Sequence, residues 1–156
     1  MTIKRTRAAE AVTALILDVF RLNGLLLTAG DRMVAPLGLT STRWQVLRAI
    51  VDAERAQPVA WLARDMGGNR QNVQRIVNDL QKMGLVTLEV NPHHRRASLV
   101  VLTEKGRRTF DEASRVQAPW ANALSEDLAI KDIDTTRRVV AQLRKKLELK
   151  LTDESE

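Results

Sequence analysis

The chain is expected to be mainly α-helical, with one small β-hairpin. Apolar residues recur at three- and four-residue steps through most of its 156 residues. Two β-branched and aliphatic runs, Leu85 to Val90 and Ser98 to Leu102, flank a polar turn. Directly before them, from Trp61 to Met83, stand a short helix, a Gly67-Gly68 turn and a second helix. Helix, turn, helix and basic hairpin in that order describe a winged helix-turn-helix.

The first helix is predicted from Ala8 to about Val34. Val12, Leu15, Ile16, Val19, Phe20, Leu26, Leu27, Met33 and Val34 put an apolar stripe on one face. Gly24 and Gly30 either weaken it or permit close helix packing, and Pro36 with Gly38 ends it. Thr40 caps a second helix, Ser41 to about Asp52, with Trp44, Val46, Leu47 and Ile50 inward. Pro58-Val59 suits a short strand. Trp61 to Met66 forms the third helix, with Trp61 in its core. Asn69 caps the fourth, which runs to about Met83 and closes at Gly84, burying Val73, Ile76, Val77 and Leu80.

Asn91-Pro92 opens the polar turn between the two strands. Thr103 caps a fifth helix that Pro119 should kink or break near Trp120. A last helix is expected from Asp132 to about Lys150, carrying Ile133, Val139, Val140, Leu143, Leu147 and Leu151. The acidic tail from Thr152 to Glu156 should fray. The whole chain, 1–156, reads as one domain with two lobes: a helical lobe from 8–38 and 108–150, and a winged lobe from 39–107.

Composition narrows the function. With 44% hydrophobic and 28% charged residues, a soluble protein is expected, with no apolar run long enough to span a bilayer. Met1 to Glu10 holds Lys4, Arg5 and Arg7 but no secretory apolar run, so a cytoplasmic location is the simplest expectation. Cysteine is absent, which excludes disulfides, Cys-ligated zinc and a thiol switch within the chain. Both histidines lie in one loop near Ser98 with no acid between them to orient a base, so no catalytic set converges and no enzyme is expected. Adjacent histidines without Cys or carboxylate neighbours make a poor metal site, and neither metal nor cofactor is expected.

The formal charge is +6, and its placement matters more than its size. From Ala60 to Phe110 there are nine basic residues (Arg64, Arg70, Arg75, Lys82, Arg95, Arg96, Lys105, Arg107, Arg108) against Asp65, Asp79, Glu89 and Glu104. The resulting +5 sits on the winged lobe, where neutralising phosphates is its commonest use.

The fourth helix carries Arg70, Gln71, Gln74, Arg75 and Asn78 on the side opposite its apolar stripe, at offsets 0, 1, 4, 5 and 8, with Asn72 at the edge. Arg forks match guanine, and Gln and Asn forks match adenine, in the major groove. A merely solvated helix favours Glu and Lys; this face has one acid, Asp79, near its far end. The open amides after Thr40 and Asn69, helped by Thr42 and Arg43, are expected phosphate ligands. Arg95 and Arg96 at a protruding turn suit a narrow minor groove.

The order Leu62-Ala63, then Val73-x-Arg75-Ile76-Val77-x-x-Leu80-x-x-x-Gly84-Leu85-Val86, Arg95-Arg96 and Val101-Leu102-Thr103-x-x-Gly106 resembles the MarR family, the multiple-antibiotic-resistance regulators. The resemblance extends over the whole chain. It implies a homodimer whose first and last two helices interlock, here through Val12, Leu15, Ile16, Val19, Val140, Leu143 and Leu147. It implies two winged lobes on successive major grooves of a pseudo-palindromic operator. By the same analogy Asn72, Gln74 and Arg75 read bases, with Asn69, Arg70, Gln71 and Asn78 around them. Arg96 is the minor-groove arginine, flanked by Arg95 and His94, and Thr40, Thr42 and Arg43 meet phosphates. Where the family's wing usually has Asp before its Arg pair, this chain has His94 after His93, which loosens the choice between Arg95 and Arg96. Charging these imidazoles at lower pH should strengthen operator binding.

The resemblance further implies a small phenolic or aromatic effector in a cleft between the lobes, near which Met33 and Trp44 could lie; both also fit a core role. Trp120 could pack in the helical lobe. The expected function is therefore a sequence-specific double-stranded DNA-binding transcriptional regulator, a repressor released by a small ligand. The alternative is a winged-helix protein-interaction module without sequence-specific DNA binding. The Arg, Gln and Asn face argues against that, since protein contacts favour aromatic anchors. RNA binding lacks stacking aromatics on a sheet.

Overall fold

The computed structural model describes residues 4–153. In order the elements are α1 (Arg7–Val34), a 3-10 turn (Ala35–Leu37), α2 (Ser41–Asp52), β1 (Gln57–Pro58), α3 (Val59–Met66), α4 (Arg70–Lys82), β2 (Val86–Glu89), β3 (Leu99–Leu102), α5 (Glu104–Ser125) and α6 (Ile130–Asp153). The three strands form one antiparallel sheet in the order β1-β3-β2, with Gln57 opposite Val100 and Val86 opposite Leu102. This is the mainly α fold with a small β wing that the sequence predicts.

Two compact units divide the chain, 1–117 and 118–156. In the first, Val34, Leu39, Val46, Leu47, Leu62, Val73, Val77, Leu80, Leu85, Val100 and Phe110 make one buried core. Each large aliphatic side chain buried there contributes roughly 1.5–3 kcal/mol relative to exposure. Gly38 closes the 3-10 turn at φ 72°, a left-handed conformation that favours glycine, and so redirects the chain toward α2. Gly30 permits the close approach expected of it: a Cβ there would lie 2.7 Å from Ser41 Oγ. Gly24 faces open space instead.

Four expectations change. The short strand is Gln57–Pro58, one residue earlier than predicted, because Val59 already opens α3. Trp61 is not core but 44% exposed, with the Arg64 guanidinium 5.4 Å from its ring centroid. Val59, Leu62, Ala63 and Met66 take the inward stripe of that short helix and leave Trp61 beside it. Pro119 does not break α5, which continues six residues further to Ser125; the missing amide costs one ladder bond without ending the helix. Finally, α1 is long and apolar enough to cross a membrane by length and composition, with hydropathy 1.6 over its most apolar window. Those two criteria do not separate a spanning helix from one that covers its apolar side with protein, and Asp18 pairs with Arg21 at 3.4 Å on its surface.

In the second unit α6 begins two residues before the predicted start and runs through Asp153, so the expected acidic tail starts inside a helix. Residues 154–156 of that tail, like residues 1–3, lie outside the described residues. Asp127, at φ 62°, turns the chain from α5 into α6, a conformation Asp tolerates better than most side chains.

Candidate nucleic-acid interface

The geometry of α4 begins with its cap. Asn69 Oδ1 accepts the amides of Gln71 at 2.8 Å and Asn72 at 3.3 Å. Val73, Val77 and Leu80 then fix the helix against the core. That rotation leaves Arg70, Gln71, Asn72, Arg75 and Asn78 exposed, with Gln74 half-buried. Gln74 Nε2 donates to Asn78 Oδ1 at 2.9 Å. That bond uses a donor of Gln74 and the acceptor of Asn78, and each side-chain amide keeps its other half, an acceptor on Gln74 and a donor on Asn78.

The wing turn is organised by a residue whose role is not evident from the pattern of charges. Asn91 is buried, its Oδ1 accepts the His93 amide at 3.0 Å, and its carbonyl accepts the His94 amide at 3.2 Å. The Asn-Pro pair was the available signal, since Asn side chains bond backbone amides two residues on. His94 O in turn accepts the Ala97 amide at 2.9 Å. His93, His94, Arg95 and Arg96 are all exposed on this turn. Arg96, Arg70, Gln74 and Leu88 line one small cleft of about 150 Å³, which brings the wing arginine beside the polar face of α4.

The start of α2 differs from its expected role. Of its first three amides, Ser41 N–H donates to Asp31 Oδ1 at 2.6 Å and Arg43 N–H to Thr40 Oγ1 at 3.2 Å. After Asn69, the Gln71 and Asn72 amides are likewise engaged by the cap. Both helix starts have therefore spent most of the donors expected to meet phosphate. Arg43 donates through Nη2 to Asp79 Oδ2 at 3.2 Å, tying α2 to α4. Thr42 is exposed, and its hydroxyl lies 3.1 Å from that of Thr40.

A latch holds the end of α4 to the start of α5. Thr103 Oγ1 donates to Gly84 O at 2.7 Å and accepts the Gly106 amide at 3.0 Å. Lys105 Nζ donates to Met83 O at 2.8 Å, so this lysine serves a helix end. The bond from the Gly106 amide is the cap expected of Thr103, while the ties to Gly84 O and Met83 O are what sequence reading did not supply.

Among the residues expected at a subunit interface, Val12, Ile16, Val19, Val140 and Leu147 are exposed, and Leu15 and Leu143 are half-buried. Of α1, only Gly30 and Val34 are buried. Met33 and Trp44 are half-buried and pack on the core; Trp44 Nε1 is buried with no acceptor among the described residues. Trp120 is half-buried.

Residues 37–97 match the model of the MarR family. Over 140 residues the chain is 39% identical to an uncharacterised protein of Mycobacterium tuberculosis, covering 87% of this chain and 96% of that relative. Among solved structures it is similar to the M. tuberculosis transcriptional regulator MosR in complex with DNA, at TM-score 0.73 and 25% identity over 86% of this chain and 96% of the other. It shares its fold with CouR of Rhodococcus jostii bound to p-coumaroyl-CoA, at TM-score 0.73 and 24% identity over 81% and 88% of the two chains. CouR, a transcriptional repressor, also has a structure with a 23-mer DNA duplex.

Proposed function

We propose that this chain, which belongs to the MarR family of transcriptional regulators, is a cytoplasmic homodimer that represses transcription from a pseudo-palindromic operator. One observation carries the reading. The polar face of α4 is exposed as a set of forked side chains, and Arg96 of the wing lies along the same cleft as Arg70 and Gln74. Laid into a major groove, α4 would offer Asn72, Gln74 and Arg75 to base edges, with Asn69, Arg70, Gln71 and Asn78 around them. Arg96, with Arg95 and His94, would enter the adjacent minor groove. Thr40 and Thr42 would meet phosphate through hydroxyls, and Arg43 would act chiefly by holding α2 against α4. The polar face of α4 carries no aromatic anchor, which disfavours a protein-interaction module.

The helical lobe, 8–38 with 108–150, would supply the dimer. Val12, Ile16 and Val19 on α1, and Val140 and Leu147 on α6, are apolar side chains left in water by the single chain. A second copy would cover them, with Leu15 and Leu143 at the margin. A small aromatic effector near Met33 and Trp44 would favour a dimer geometry that no longer fits the operator. The aromatic acyl ligand of the CouR structure supports that class of effector.

The test is binding to the DNA flanking the protein's own gene across a salt series. A steep log–log salt slope together with a large preference for one site over random duplex is the expected result. Equal affinity for random and flanking duplex would overturn the reading, and reporter expression with and without the protein gives the sign of regulation.

A further inference from the structure

Gln74 and Asn78 stand one turn apart on the polar side of α4, joined by the 2.9 Å bond from Gln74 Nε2 to Asn78 Oδ1. Gln74 is half-buried and Asn78 is exposed. We propose, resting on the DNA-binding function given above, that Asn78 is a positioning residue: it holds the Gln74 amide so that the protein selects adenine over guanine at one base pair.

A glutamine amide is a fork with two unlike ends. Turned one way, its oxygen and N–H match the N6 amino group and N7 of adenine. Turned over, its nitrogen donates to O6 or N7 of guanine, so an unrestrained glutamine accommodates either purine. The bond to Asn78 sets the direction. Turning Gln74 over alone would put its Oε1 against Asn78 Oδ1, two acceptors facing each other. One hydrogen of Nε2 is spent on Asn78, and the second remains with Oε1 as the donor and acceptor that adenine needs. Guanine would set its O6 against Oε1 and leave both acceptors unpaired in a desolvated groove.

Two features favour the direction observed. Arg70 and Arg96, which line a cleft with Gln74, carry donors only and leave the Nε2 hydrogen to Asn78. Reversing both amides together would show the Asn78 oxygen to the phosphates. The observed pair instead keeps the Asn78 amino group free, a donor for a phosphate oxygen.

The test selects bound sites from a randomised duplex library with the full chain, Gln74→Ala, Asn78→Ala and Asn78→Asp. Asn78 is exposed, so its substitutions leave the core intact. Gln74→Ala identifies the base pair by erasing its preference. There the unsubstituted protein should favour adenine over guanine about tenfold or more. Asn78→Ala should cut that ratio about fivefold or more and leave the other positions unchanged. Asn78→Asp keeps the acceptor, so it should retain the ratio while its charge weakens binding to every sequence. Placing 7-deazaadenine at that pair should weaken the unsubstituted protein about fivefold or more and Gln74→Ala less than about twofold. A ratio unchanged in Asn78→Ala, a ratio lost in Asn78→Asp, or a guanine preference in the unsubstituted protein would each overturn the proposal while the DNA-binding function stands. The absence of any preferred site in the unsubstituted protein would overturn both.

Discussion

Arg43 at the start of α2 and Asp79 near the end of α4 are joined by an ion pair with Nη2 and Oδ2 3.2 Å apart and both side chains about one-third exposed, 31% and 38%. Asp79 is the single acid of α4. Its carboxylate therefore both offsets the Arg43 charge and ties α2 to α4. In Asp79→Asn the guanidinium should turn to DNA. The expected result is a salt slope steeper by about one phosphate contact and a smaller ratio of specific to random binding. Stability should fall by less than about 1 kcal/mol, since the pair is partly exposed. An unchanged slope in fluorescence anisotropy would show that Arg43 does not reach phosphate.

Gly106→Ala should destabilise the winged unit. A Cβ at that position would stand 2.0 Å from Leu85 O, against backbone that leads into β2. Overpacking of this kind costs typically about 1–3 kcal/mol, read as a lower urea midpoint with an unchanged m-value. Wild-type stability in this variant would mean that α5 can slide away from β2.

Arg75→Ala and Arg96→Ala should separate two kinds of contact. Loss of a base-reading fork relaxes the preferred sequence at one position by about 1–3 kcal/mol. Loss of the wing arginine lowers affinity more evenly across sequences. Selection of bound sites from a random duplex library measures both, and an unchanged consensus for Arg75→Ala would remove it from the readers.

Ile16→Asp and Leu147→Asp should shift the protein toward monomer in light scattering, because each puts a charge on an apolar side chain that is exposed in the single chain. Wild-type mass for both variants would move the interface off these faces.

Much of the fold was legible because local signals agree along the chain. Thr40 and Asn69 cap where apolar spacing starts, and Gly67 and Gly84, both at positive φ, close α3 and α4 where it stops. Trp61 misled through its size, yet the spacing of Val59, Leu62, Ala63 and Met66 already excluded it from the inward stripe. Pro119 was expected to kink or break α5, and the break does not occur because twenty-one other residues sustain the helix. The polar face of α4 could be read directly, being a matter of helical phase. The Arg43–Asp79 pair could not, because its partners are separated by 36 positions and meet only once the helices pack. Nor could the engaged amide of Ser41, whose state depends on Asp31, a residue of a different helix.

That last contact has a mechanical meaning. A carboxylate of α1 holds the first amide of α2, glycine brings the two backbones together at the same point, and the arginine of α2 holds α4. The three helices are thus linked in series, so a change at Asp31 should be felt at α4, two contacts away.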